Sequence, residues 1–409
     1  MRPDHAHVLV AGGGVAALEA ALALRALADD RVAVELLAPE SEFTYRPLAV
    51  AEPFRVGEAH RFPLKTLVEA AGATLRHGRV KSVDAESREV RTSDEEALVY
   101  DVLLLALGAQ ARPGVPGALT FRGPQHEAPL SSLLTKARTG QARKLVFAVP
   151  VGVSWALPLY ELALLTAVQL ADAGVADLQI ELVTPEQRPL LLFGSEASDA
   201  VTELLSAHGI VIHADTAPME FADGSLRLAP QGRIETDAVV ALPRLEGPRL
   251  TGVPHDANGF VPVDEDGRVG LAGDVFAAGD LTSFPIKQGG LAAQQADAAA
   301  ESIAALAGAA IEPTPFTPVL RGLLLTGLTP RYLRAEPERH ASVTDTEPLW
   351  WPPAKIVGRY LAPFLASHLG LALARPEIDE GNAVEIEIEI DLDLELELER
   401  ASAGAWSRL

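Results

Sequence analysis

Between residues 5 and 310, short unbroken apolar runs alternate with longer Ala- and Leu-rich stretches. His7 to Ala11 (HVLVA) predicts a strand buried on both faces, because such strands read as continuous apolar runs rather than as alternation. Gly12, Gly13 and Gly14 follow at once, and Val15 to Leu27 then reads as a helix. Val32 to Leu37 (VAVELL) predicts a second strand, Tyr100 to Gln110 (YDVLLLALGAQ) contains another, and Val275 to Asp280 (VFAAGD) ends a further one in small residues and an acid. Gln288 to Leu306 predicts a helix that starts at Gly289 or Gly290. Strands that alternate with helices point to an α/β fold with parallel sheets.

The first strand, turn and helix carry chemistry. The pattern Gly12-x-Gly14-x-x-Ala17 supplies a tight turn at Gly12, close backbone approach to a pyrophosphate at Gly14, and tight helix packing at Ala17. The helix start at Val15 and Ala16 presents free N–H groups and a partial positive charge to phosphate. An acid for the adenosine ribose belongs near Ala38. This chain offers Glu40 two residues later, as ribose ligand or as a solvated loop acid. At the other end, Gly279 and Asp280 form a second strand-to-helix junction, with one carboxylate placed to accept a sugar-like hydroxyl.

The middle of the chain repeats the beginning. VAVELLAPE at 32 to 40 matches LQIELVTPE at 178 to 186, HVLVA matches KLVFA at 144 to 148, and LEAALAL at 18 to 24 matches YELALLT at 160 to 166. The second copy has a turn five residues longer, Val149 to Trp155, in which only Gly152 remains of the glycines. Pro150 removes a backbone donor, and Trp155 is bulky where a phosphate must approach.

Composition narrows the chemistry. The 409 residues carry a net charge of -22, which argues against nucleic acid as a partner. Residues 376 to 409 hold 11 acids and 2 arginines, so the body remains acidic without them. The absence of cysteine excludes disulfides, thiolate metal sites and thiol nucleophiles. The ten histidines are scattered, and no metal site is expected. Without a basic-then-apolar leader or an apolar run of about 18 residues, the expected location is the cytoplasm.

GGGVAALEAALAL, YDVLLLALGAQ and FAAGDLTSFPIKQGGLAAQQADAAAE, in this order and spacing, resemble the FAD-dependent pyridine nucleotide-disulfide oxidoreductase superfamily. The branch resembled holds sulfide:quinone oxidoreductases, flavocytochrome c sulfide dehydrogenases and type II NADH dehydrogenases. The resemblance implies that Gly12, Gly13, Gly14, Val15, Ala16 and Ala17 cradle the FAD pyrophosphate. It places Asp280 on the ribityl chain, with Gly279 allowing close approach, and Val80, Ala106 and Gly108 beside the cofactor. It sets Lys287 and Gln288 at the pyrimidine end of the flavin, where Lys287 stabilises the anionic reduced ring or is simply a surface lysine. Tyr45, Arg46 and Pro47 fall in a loop near the flavin, although Arg46 also reads as a surface ion-pair residue. The sulfide-oxidising relatives carry a catalytic cysteine at the second turn. This chain has none, so the resemblance extends to their fold and not to their persulfide chemistry.

The expected architecture is two Rossmann-like domains from an internal duplication, with a C-terminal cap. Residues 1–115 and 253–315 form the FAD domain, 116–252 the second domain, 316–375 the cap and 376–409 an acidic tail. In that tail Glu385 to Glu399 alternates acid and aliphatic residues, as an added strand or as a disordered segment. Residues 349–374 combine Trp350, Trp351, Tyr360 and Phe364 with Lys355 and Arg359, which suits a lipid boundary, a flavin cover or a homo-oligomer contact. Three functional readings stay open: a flavin oxidoreductase passing electrons from a small donor to a quinone-like acceptor, an NAD(P)H-dependent reductase using its altered turn unusually, and a non-catalytic flavin-binding scaffold.

Overall fold

A computed structural model describes residues 5–123, 127–153 and 155–369. The acidic tail and residues 370–374 lie outside the described residues.

Two five-stranded parallel sheets carry the architecture. The first runs, edge to edge, Asp274–Ala277, Val102–Leu105, Ala6–Ala11, Val32–Ala38 and Thr74–His77. The second runs Leu119–Thr120, Ala238–Ala241, Lys144–Ala148, Gln179–Val183 and Val211–His213. In each sheet the opening strand of the repeated unit is central and its second and third strands lie to one side. The parity of the buried residues repeats as well. Val8 and Val10 face the core under the helices while Leu9 and Ala11 face the opposite core. Leu145 and Phe147 likewise divide from Val146 and Ala148. Side chains alternate across a strand, so matched parity means matched register. The doubled α/β architecture read from the repeats is the architecture of the molecule.

Small residues set the closest approach. The helices Val15–Ala28 and Gly289–Leu306 pack through Ala16, Ala20, Ala292, Ala296 and Ala299, all buried in one core. Gly279 lies at the junction with φ +79°, and a Cβ there meets the Ala16 Cβ at 3.1 Å and the Ala292 Cβ at 3.3 Å. Residues 320 to 345 form an antiparallel three-stranded sheet, Leu320–Leu324, Arg331–Glu336 and Ala341–Asp345, whose Leu320, Leu324, Leu333 and Ala335 join the core of the second domain.

The chain then returns across both halves, held by two fully buried glutamates. Glu19, on the first helix, accepts from Tyr360 N at 2.7 Å and Leu361 N at 2.8 Å. Glu161, at the matching place on the duplicated helix Leu157–Asp172, accepts from Lys355 Nζ at 2.5 and 2.7 Å and from Leu325 N at 2.8 Å. Gly358 passes so close to Glu19 that a Cβ would sit 2.2 Å from its Oε2. The aromatic and basic residues that suggest a lipid boundary are largely spent in this strap. Trp350 is buried edge-on against Tyr332 and donates to Ala354 O, and Lys355 and Tyr360 are buried. Among the described residues no helix is long and apolar enough to cross a membrane.

Asp297 of the facing helix lies within electrostatic reach of Glu19, and its Oδ1 is buried without a hydrogen-bond partner. Burial, then the charge of Glu19, holds the Asp297 carboxyl well above its usual value, against the weaker opposing pull of Arg359. A carboxyl raised in the folded state contributes stability that is complete below the ordinary carboxylate value and is lost as pH rises through the raised one. Asp297→Asn keeps a donor at every pH. It is expected to equal the native protein near about pH 4 and to exceed it by about 1 kcal/mol or more near about pH 9. Urea midpoints across that range check this, and parallel pH profiles for the two proteins would contradict it.

Candidate functional site

One cavity of about 910 Å³ runs from the first glycine turn to the C-terminal sheet. It lies at the top of the range of roughly 300–1,000 Å³ typical of small-molecule sites. Its floor is the turn Gly12–Gly14. Gly12 has φ +137°, and a Cβ there falls 2.2 Å from Ala106 O, so the two strand ends touch only because this residue is glycine. Gly14 differs: its φ of -94° suits any residue, and a Cβ there meets nothing within 4 Å. That open space lies at the N-cap of the first helix, where Gly14 has no side chain to satisfy the amides of the first turn.

Of the residues singled out in the sequence, Gly12, Gly13, Gly14, Val15, Ala16, Glu40, Arg46, Pro47, Val80, Ala106, Gly108, Gly279, Asp280, Lys287 and Gln288 all line this cavity. Ala17 does not reach it. Ala17 is fully buried and packs in the core between helix and sheet, so its contribution is spacing rather than contact. Glu40 is exposed at the rim. Asp280 is half-buried, and burial raises its carboxyl against the nearby charges of Lys287 and Arg46. No hydrogen bond among the described residues reaches that carboxylate, which leaves its acceptors available to hydroxyls in the cavity.

Two side chains are more constrained than their sequence positions imply. Lys287 Nζ donates to Phe284 O at 2.7 Å and to Thr282 O, and sits 3.8 Å from the centre of the Phe260 ring. Burial lowers its pKa to about 8, with Asp280 and Asp256 acting the other way. Its ammonium is therefore fixed on the 282–284 loop and acts on the cavity through its charge. Gln288 Oε1 caps Leu291 N at 2.8 Å, and its Nε2 donates to Arg321 O at 3.2 Å. Both ends of that amide are occupied, so Gln288 orients the helix start and joins it to the C-terminal sheet.

The ion pair Glu161–Lys355 forms part of the same wall and was not legible as a pair in the sequence. Lys355 Nζ also approaches Pro47 O at 3.3 Å. Burial raises the Glu161 carboxyl and lowers the Lys355 ammonium, while each counters the other's shift through charge and hydrogen bonding. Alignment of the two repeats carries one signal: Glu161 stands in an apolar helix at the place of Glu19. Near it, Trp155 of the lengthened second turn lines the cavity and packs edge-on against Phe193, with ring centres 5.7 Å apart.

The geometry fits an extended dinucleotide. A glycine turn with room above Gly14, the exposed acid Glu40 and an unpaired acid at Asp280 all line one cavity. The chain is 24% identical over 305 residues to sulfide-quinone reductase of Aquifex aeolicus, covering 68% of this chain and 69% of that protein. It is 26% identical over 303 residues to the ferredoxin–NAD(+) reductase component of the biphenyl dioxygenase system of Paraburkholderia xenovorans, covering 69% of each. The solved structure of sulfide:quinone oxidoreductase from Aquifex aeolicus superposes with a TM-score of 0.76 at 20% identity, over 83% of this chain and 86% of that one. Residues 6–301 match the pyridine nucleotide-disulphide oxidoreductase family; the chain belongs to that family and is an FAD-dependent oxidoreductase.

Proposed function

We propose that the protein passes electrons from a small donor, other than a nicotinamide dinucleotide bound in the usual way, to a quinone-like acceptor. The observation that carries this reading is the buried Glu161–Lys355 pair in the cavity wall, beside a second turn filled by Trp155. A quinone takes up protons as well as electrons, so its reduction requires a proton source that water does not dilute. Lys355, with its ammonium lowered by burial, holds a proton against Glu161 at the cavity surface and can release it inward. In the lengthened turn Pro150 offers no backbone donor and Trp155 is bulky, which supports reading it as a wall and not as a second pyrophosphate site.

FAD, when bound, stores the electrons between the two half-reactions. The protein's residues do the rest. Gly12 to Ala16 hold the pyrophosphate on helix amides, Glu40 meets the adenosine ribose, and Asp280 accepts from the ribityl chain. Val80, Ala106 and Gly108 flank the cofactor. The fixed charge of Lys287 and the helix start at Gly289, oriented by Gln288, favour negative charge at the pyrimidine end. Arg46 and Pro47 close the loop over it. In this assignment residues 1–115 with 253–315 carry FAD and residues 116–252 serve as wall rather than as a nicotinamide site. The relative named as a sulfide-quinone reductase makes a quinone the first acceptor to test.

Gly14 and Gly12 separate binding from folding. Gly14→Val is expected to fold with native stability, since its side chain enters empty space, yet to lose FAD by roughly a hundredfold or more in affinity. Gly12→Val drives a Cβ into Ala106 O and is expected to cost several kcal/mol of stability. Thermal melts with flavin absorbance distinguish the two, and full FAD retention in Gly14→Val would remove the cradle from the reading.

An anaerobic absorbance titration tests the donor and acceptor. Flavin bands are expected to persist through addition of NADH and then NADPH, and the dithionite-reduced protein is expected to recover them promptly with a soluble short-chain quinone. Rapid bleaching by either nucleotide would overturn the reading of the second turn. Lys355→Met combined with Glu161→Gln, which leaves no unpaired charge buried, is expected to slow reoxidation by the quinone by about a hundredfold while flavin content is kept. An unchanged rate would assign the pair to structure alone.

A further inference from the structure

The C-terminal sheet presents a guanidinium with nothing to bind. Within the strand Leu320–Leu324, Leu320 and Leu324 point into the core, while Arg321 and Leu323 lie on the opposite face and line the cavity. Among the described residues, the side-chain hydrogen bond that reaches Arg321 goes to its backbone carbonyl, from Gln288 Nε2. Its Nε is buried without a partner, and no ion pair or hydrogen bond among the described residues engages its terminal nitrogens. An arginine has five N–H donors and no way to neutralise itself at ordinary pH, so leaving them unmet in a half-buried place is costly.

The surroundings deepen the deficit. Arg321 pairs directly across the sheet with Arg334, whose own Nε is buried and unpartnered. Like charges placed opposite each other in a sheet destabilise it. The nearest acid, Glu336, is already engaged by Arg334 at 2.6 Å and by Arg339 at 3.3 Å. Burial, then the charge of Arg334, brings the pKa of Arg321 down to about 10. The same bias extends along the cavity. In a chain of net charge -22, its lining holds eight basic residues and four acidic ones, a positive excess larger than one pyrophosphate neutralises.

We infer that Arg321, backed by Arg334, is a binding subsite for a carboxylate on the substrate that enters the cavity at the C-terminal sheet. The inference rests on the reading of this cavity as the place of electron transfer and narrows its small donor to organic acids. A planar carboxylate matches the two-pronged face of a guanidinium. Leu323 and Ile356, which line the same end, give its carbon body an apolar wall. Gln288 ties the backbone of Arg321 to the start of the Gly289–Leu306 helix, so the subsite is fixed relative to the end of the cavity where that helix begins.

Sodium benzoate and its neutral isostere benzamide are the probes, titrated into the FAD-loaded protein by calorimetry at constant ionic strength. Benzoate is expected to saturate and to bind roughly tenfold or more tighter than benzamide, and Arg321→Gln is expected to abolish that preference. Equal affinities for the two probes in the native protein would overturn the inference without any variant. A preference that survives in a folded, flavin-bearing Arg321→Gln protein would also overturn it. The visible flavin bands of the same sample report on the cofactor separately: a protein that stays colourless after FAD addition removes the reading beneath, whereas a yellow protein indifferent to benzoate removes only the subsite.

Discussion

A carboxylate inside a protein must be neutralised or fully hydrogen-bonded, because removing it from water costs several kcal/mol. Among the described residues two such groups, Glu19 and Glu161, are fully buried at equivalent places in the duplicated helices. Both are satisfied by the returning strap, one by the backbone of Tyr360 and Leu361, the other by Lys355. The path of the strap is thereby set at two points, one on each half. Tyr45 adds a third, its hydroxyl accepting from Ile356 N at 2.8 Å. The strap in turn supplies Lys355 and Ile356 to the cavity wall, so that part of the wall depends on the two buried carboxylates.

Duplication explains why so much of the scaffold could be read in the sequence. Apolar runs such as HVLVA and KLVFA are covered on both faces, and that burial leaves a continuous signature whatever the tertiary context. Glycines at a phosphate turn are equally explicit, because no other residue tolerates what Gly12 does. The wall of the site is different. Glu161 and Lys355 lie 194 residues apart, and Arg321 and Gln288 lie 33 apart, so no local pattern announces either contact. Lys287 and Gln288 line the cavity, yet their polar atoms are committed to the loop and the helix cap. Trp350 and Tyr360 read equally well as membrane anchors or as core, since periodicity reports amphipathicity and not the partner that satisfies it.

The two halves have diverged in kind. In the first, the turn is short and open and leaves space above Gly14 for a ligand. In the second, the same junction is lengthened and Trp155 occupies its surroundings, while the helix that follows contributes a side chain instead of its terminal amides. The matching junction of the second half is part of a wall that bears a buried ion pair. The glycine turn of the first half and the ion pair of the second face the same cavity.

The discontinuous first sheet also has a temporal meaning. Its edge strand, Asp274–Ala277, pairs with Val102–Leu105 only after the second sheet has been spelled out, and the strap arrives later still. During synthesis from the N-terminus the first domain must wait with an unpaired edge until that strand emerges. Cofactor capture is consequently a late step of assembly, and a truncated chain exposes that edge instead of giving a smaller working enzyme.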